Sequence, residues 1–234
     1  LLILGTSACV HTLTVKNNTV KKELPITLLI SSLFVLLLSD KLFDNMTNMF
    51  TRSDGVTLLL FFLVFIYYLI SMMRNKKEDE VQEDVMKLPK AILLTIVGIV
   101  GIVLGSNFVV DSASYIADVL GVSERMIGLT IVALGTSLPE LVTSVIATKK
   151  GEYDIAIGNV VGSNIFNIGI VIGLPVALFG TIPNVTYNIV DLAMMLASAA
   201  LLFVFSYNDY KIKKNEGIIF LVLFVLYYSY VIFV

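Results

Sequence analysis

The stretch Gly128-Leu129-Thr130-Ile131-Val132-Ala133-Leu134-Gly135-Thr136-Ser137-Leu138-Pro139-Glu140 puts a carboxylate, a proline and two hydroxyls into an otherwise apolar run. That run, 126–148, is long enough to cross the ~30 Å of a bilayer's hydrocarbon core. Glu140 lies eight residues before Thr148, so at 1.5 Å per helical residue it sits roughly 12 Å inside the span's end. An ionised carboxylate at that depth costs several kcal/mol unless it is paired or coordinated, which marks it as functional by default. Pro139 has no N–H, and its ring crowds the carbonyl four residues back, that of Gly135. It also pushes Leu138 away from helical geometry. The spacing predicts a helix interrupted around 133–138, with main-chain carbonyls left without helical partners. Such backbone survives at membrane depth only where it is buried in protein or lines a wet cavity. The other reading is a simple proline kink, with the Thr136 and Ser137 hydroxyls bonding back to the helix.

Working outward, a second polar cluster follows: Gly158-Asn159-Val160-Val161-Gly162-Ser163-Asn164-Ile165-Phe166-Asn167. Ser163 and Asn167 fall one turn apart on one face and are read as site residues, whereas Asn164 falls on a different side. Gly158 and Gly162 form a small-xxx-small pattern, which is read as helix packing. Carbonyls, hydroxyls, amides and one carboxylate are hard oxygen donors. They suit Ca²⁺ and, with less negative charge, Na⁺.

The whole chain has the composition for this setting. Its 234 residues are 57% hydrophobic and 15% charged, against about a quarter charged for a soluble domain. One cysteine, Cys9, and one histidine, His11, exclude a disulfide framework and a Cys/His metal cluster. A net charge of −2 without a basic patch gives no reason to expect nucleic acid. No nucleophile–base pair or cofactor motif points to an enzyme. Full spans are expected at 24–43, 56–73, 91–110, 126–148, 155–180, 187–207 and 217–234, preceded by a shorter apolar piece, 1–13. Lys16, Lys21, Lys22, then Arg74, Lys76, Lys77, Lys87, Lys90, then Lys149, Lys150, then Lys211, Lys213, Lys214 occupy alternate loops. Lys41, Arg52 and Arg125 make up the remainder of the 16 basic residues. Basic loops face the cytoplasm, so the 74–90 loop is expected inside and the C-terminus outside. The 74–90 loop alternates in charge without EF-hand spacing and reads as a solvated linker. Asp111 reads as interfacial capping or structural bonding, Asp191 as structural, and the Met194-Met195 and tyrosine pairs as packing or lipid-facing.

A weak internal repeat aligns Gly173, Thr181-Ile182, Glu216-Gly217 and Tyr227-Tyr228 with Gly5, Thr14-Val15, Asp54-Gly55 and Tyr67-Tyr68. The loop charges place the two copies in opposite orientations, as inverted-repeat transporters require. On this reading 1–13 is the tail of a span equivalent to 155–180, and the chain is truncated at its N-terminus. Three regions result: 1–73, the end of a first transmembrane half; 74–90, a cytoplasmic linker; and 91–234, a second half with five spans.

Gly135-Thr136-Ser137-Leu138-Pro139-Glu140, followed about 18 residues later by Gly158-Asn159-Val160-Val161-Gly162-Ser163-Asn164-Ile165-Phe166-Asn167-Ile168, resembles the second α-repeat of the sodium/calcium exchanger family, within the calcium/cation antiporter superfamily. The short 74–90 loop makes it similar to prokaryotic members. The resemblance implies an all-α, polytopic transmembrane protein with an inverted-repeat exchanger fold, its second α-repeat at about 126–180, here lacking the first. It implies a multi-pass protein of the plasma or inner membrane that exchanges Na⁺ for Ca²⁺ by alternating access, needing membrane lipid and no cofactor. By motif position, Glu140 would be the shared Ca²⁺ and Na⁺ carboxylate and the Thr136 carbonyl a Ca²⁺ ligand. The Ala133 carbonyl and the Ser137 and Ser163 hydroxyls would serve Na⁺. Asn167 stands where some members carry Asp, which leaves the site's total charge open. The missing first α-repeat would bring a second carboxylate. Exchange of H⁺ or another cation, and a channel-like or non-transporting membrane subunit, are the alternatives.

Overall fold

A computed structural model describes residues 1–40, 48–74, 87–185 and 187–233, and the described residues are overwhelmingly helical. In chain order the elements are α1 (Leu2–Val10), β1 (Leu13–Thr14), α2 (Leu24–Leu38, entered through a π-helical turn Thr19–Glu23), α3 (Arg52–Arg74) and α4 (Leu88–Val119). Next comes α5, made of Glu124–Ile127, a π-helical Gly128–Val132 and a short Ala133–Gly135, and then α6 (Leu138–Lys149). α7 (Tyr153–Phe166) continues through a π-helical Asn167–Ile172 into α8 (Gly173–Phe179). α9 (Ile189–Asp209), β2 (Lys211–Ile212) and α10 (Lys214–Phe233) complete the order.

Six helices among the described residues are long and apolar enough to cross a membrane: Arg52–Arg74, Leu88–Val119, Thr130–Lys149, Tyr153–Phe179, Ile189–Asp209 and Lys214–Phe233. They match six of the seven expected spans. The seventh, expected at 24–43, holds only a 15-residue α-helix, about 22 Å at the helical rise. Its expected end at Phe43 lies outside the described residues, as does most of the 74–90 linker. A second difference concerns the span expected at 91–110, which forms a 32-residue helix. Asp111 therefore lies inside α4, exposed, and not at a helix end. At about 48 Å such a helix exceeds the bilayer core and must tilt or project from it.

Large apolar side chains cover much of the outside of the molecule, including Leu60, Leu63 and Val64 on α3 and Phe108 on α4. In lipid that arrangement is the solvated one. The interior is built from α1, α2, α7 and α10, where Leu4, Ala8, Ile30, Ile157, Val161, Ile165 and Phe220 are buried together. α4 stands at the edge and buries only Ser106 and Ala117.

The weak sequence repeat has a clear structural form. α1 of the first copy packs on α10 of the second, and α8 of the second packs on α3 of the first. Both crossings close glycine on glycine. A Cβ on Gly217 would lie 2.9 Å from the Gly5 carbonyl oxygen, and one on Gly55 would lie 2.8 Å from that of Gly173. Both copies also make a short backbone bridge across the interface: Leu13 pairs with Ile212, and Phe50 with Ile182. The caps repeat as well. Asp54 accepts the Thr51 N–H at 2.7 Å at the start of α3, and Glu216 accepts the Lys213 N–H at 2.6 Å at the start of α10. Each is the acidic half of a capping box. α4, α5 and α6 have no such counterpart among the described residues.

Candidate cation-binding site

The break forms where Pro139 requires it. α5 ends at Gly135, and Thr136 and Ser137 form a turn before α6 starts at Leu138. Thr136 remains near helical geometry at φ −62°, ψ −23°, while Ser137 moves to φ −95°, ψ −2°, in the sparsely populated bridge region. The Ser137 N–H donates to the Leu134 carbonyl at 3.0 Å, a three-residue closure that tightens the turn. Gly135 is required here for closeness: a Cβ would lie 2.0 Å from Val110 Cγ2 on α4. A preceding π-helical segment, 128–132, widens the backbone on the other side of the break. The sequence does not announce it, because π-bulges have no composition signature, although they recur at functional sites. A second one, 167–172, begins at Asn167 itself.

Glu140 falls in the first turn of α6, where the unsatisfied N–H groups of a helix N-terminus complement negative charge. Its Oε2 is shut off from solvent and accepts no hydrogen bond. A buried, unsatisfied carboxylate oxygen is costly and needs a physical reason. The reason lies in its surroundings. Ala133, Thr136, Ser137, Glu140, Ser163 and Asn167, the six residues singled out from the sequence, all line one cavity of about 710 Å³ between α5–α6 and α7.

Several local bonds arrange this wall. The Thr136 hydroxyl donates to the Ala133 carbonyl at 3.0 Å, and the Ser163 hydroxyl donates to the Val160 carbonyl at 3.1 Å. Both hydroxyls spend their proton on the backbone, which leaves their oxygen lone pairs free to accept. Back-bonding and the helix break thus occur together, although the sequence reading set them as alternatives. Asn159 takes another role: its amide nitrogen donates to the Glu140 carbonyl at 3.2 Å and to Ser144 Oγ at 3.1 Å. It fastens α6 to α7 behind the site.

Other assignments change. Asn164, expected on a different side, also lines the cavity, as do Asp191, Met194, Met195 and Ser198 of α9 and Tyr227 and Tyr228 of α10. The methionine pair therefore faces the cavity and not lipid alone. Asp191 accepts the Tyr227 hydroxyl at 2.9 Å, and the Tyr228 hydroxyl donates to the Thr130 carbonyl at 2.6 Å. A charged residue one turn into an apolar span was the available signal for Asp191; which way α9 turns it was not in the sequence. Gly158 and Gly162 pack against nothing within 4 Å among the described residues, in contrast to the expected helix contact.

A helical membrane protein with exchanged halves, a helix broken at a carboxylate and a cavity walled by hard oxygens has the architecture of a secondary transporter. The comparisons with known proteins narrow that class. The family model of the sodium/calcium exchanger protein matches residues 1–71 and 90–233, and the chain belongs to that family. It is 35% identical over 209 residues to the inner membrane protein YrbG of Escherichia coli (strain K12), covering 85% of this chain and 62% of that protein. It is 47% identical over 116 residues to the sodium/calcium exchanger MaX1 of Methanosarcina acetivorans, covering 50% of this chain and 33% of that one. The chain thus spans less than two thirds of either relative. Among solved structures, the sodium-calcium exchanger NCX_Mj without Na⁺ and Ca²⁺ superposes with a TM-score of 0.79 at 31% identity, over 96% of this chain and 69% of that one. The relatives with an assigned activity are transporters, not enzymes.

Proposed function

We propose that the protein is a secondary antiporter that exchanges Na⁺ for Ca²⁺ across the membrane, with Glu140 as the carboxylate both ions share. The observation that carries this reading is the buried, unbonded Glu140 Oε2, on a residue that lines a cavity together with Ala133, Thr136, Ser137, Ser163 and Asn167. The Thr136 carbonyl completes Ca²⁺ coordination. The Ala133 carbonyl and the Ser137 and Ser163 hydroxyls serve Na⁺, and Asn167 adds a neutral amide oxygen. Two ions compete for overlapping ligands, so filling the site with one releases the other. That competition, together with a cavity open to one side at a time, is what couples the two fluxes. Ca²⁺ takes six to eight oxygens, so further oxygen donors join these groups when the ion is bound. The loops rich in Lys and Arg, including 74–90, face the cytoplasm on this reading, and the C-terminus faces outside.

The test is Na⁺-gradient-driven ⁴⁵Ca²⁺ uptake into proteoliposomes. We expect Glu140→Gln to abolish uptake, and undiminished uptake in that variant would overturn the assignment. Uptake that follows a pH gradient and ignores Na⁺ would move the protein to proton/calcium exchange.

A further inference from the structure

The ion cavity has a partner across α7, and each of the two contains a carboxylate held by a tyrosine. Val160, Ser163, Asn164 and Asn167 face the first cavity, while Asp154, Gly158, Val161 and Gly162 face a second one of about 560 Å³. At 100° per residue these two sets lie on nearly opposite sides of the helix. Asp191 lines the first cavity and Glu23 the second. The two stand at comparable places in the two copies: Asp191 follows Gly173 by 18 residues and lies in the first turn of α9, and Glu23 follows Gly5 by 18 and directly precedes α2. In each copy the last helix supplies a phenol, from neighbouring and not equivalent positions, because the repeat aligns Tyr227 with Tyr67 and Tyr228 with Tyr68. Tyr227 donates to Asp191 at 2.9 Å, and Tyr68 donates to Glu23 at 3.4 Å. A neutral donor orients a carboxylate without cancelling its charge.

We propose that Asp191 and Glu23, one in each copy of the repeat, are vestibule carboxylates that gather cations, each on one side of the membrane, before they reach Glu140. The inference rests on the antiport reading above. Alternating access around a fixed site needs two routes, and in an inverted repeat the two routes are related by the same two-fold as the halves. A carboxylate in a cleft with low-dielectric walls raises the local cation concentration tenfold or more. The two vestibules differ in strength. The first carries Asp191 and Glu140 with no Lys or Arg among its lining residues. In the second, Lys16 pairs with Asp154 at 2.5 Å and Lys22 lies over the Tyr68 ring at 5.7 Å, so Glu23 acts in a nearly charge-balanced setting.

The experiment measures Ca²⁺ dependence of exchange separately from each face of oriented proteoliposomes at low ionic strength. Asp191→Asn should raise the half-saturating Ca²⁺ roughly tenfold on one face only, with maximal rate retained. Glu23→Gln should raise it by less, on the opposite face. Unchanged values on both faces, or equal shifts on both, overturn the proposal. A second readout needs no transport: titration of the detergent-solubilised protein with Tb³⁺, excited through tyrosine. Weaker Tb³⁺ binding in Asp191→Asn, and lower sensitised emission in Tyr227→Phe, support the vestibule even where the wild type exchanges nothing. Wild-type exchange with unaltered Asp191→Asn behaviour in both assays leaves the antiporter standing and removes the vestibule.

Discussion

At the residue scale, Glu140 and Gly135 matter for opposite reasons. Glu140 matters for what it carries, and its expected loss-of-function variant tests chemistry. Gly135 matters for what it lacks. A methyl group there would stand 2.0 Å from Val110 Cγ2, far inside van der Waals contact. We expect Gly135→Ala to destabilise by about 1–3 kcal/mol, read as a lowered thermal unfolding midpoint in detergent. Val110→Ala should restore part of that loss, because it removes the atom that clashes. Additive effects of the two changes would show that the pair is not in contact in solution. Asn159 adds a lesson on side-chain chemistry. Its sequence context offered an amide oxygen to the site, but its amide nitrogen serves the fold, bridging Glu140's carbonyl and Ser144.

At the scale of elements, the two acidic caps turn a marginal sequence repeat into a physical one. Asp54 and Glu216 each accept the N–H three residues upstream, and so start α3 and α10 in the same way. Removing either should cost about 1 kcal/mol. We expect Asp54→Ala and Glu216→Ala to lower the unfolding midpoint by similar amounts, while their half-saturating Ca²⁺ stays at the wild-type value. A large change in ion affinity from either would argue that the caps belong to the ion path. Helix identity and order were legible from hydropathy, because runs of about 20 apolar residues have few other uses. Lengths were not. α4 runs past Asp111 because a single exposed aspartate does not stop a helix, and hydropathy sees only its apolar part.

For the whole molecule, the close approach of the two halves at Gly5 with Gly217 and Gly55 with Gly173 decides how the copies are joined. The atoms that a new Cβ would meet there are mostly backbone: Ala177 N at 2.6 Å and Gly173 O at 2.8 Å from Gly55, and Gly5 O at 2.9 Å from Gly217. Backbone in two packed helices cannot move aside as a side-chain tip can. Gly55→Ala and Gly217→Ala should therefore lower the unfolding midpoint strongly. Gly158→Ala, with nothing within 4 Å, should leave it nearly unchanged. Equal effects at all three positions would remove glycine contact as the joint between the halves.

Hydrophobic run length, the depth of Glu140 and the chemistry of Pro139 determined by themselves that this is a helical membrane protein with a broken helix at a carboxylate. These are properties of single segments in lipid, and local physics settles them. Which faces turn toward one another was decided only by tertiary packing. Rotation of α9 brings Asp191 and Met194 into the cavity, and the packing of α1 on α10 and of α8 on α3 joins the two copies. In lipid, an apolar side chain gains little from one neighbour over another, so hydropathy cannot orient a helix about its own axis; close backbone contact and interhelical hydrogen bonds do.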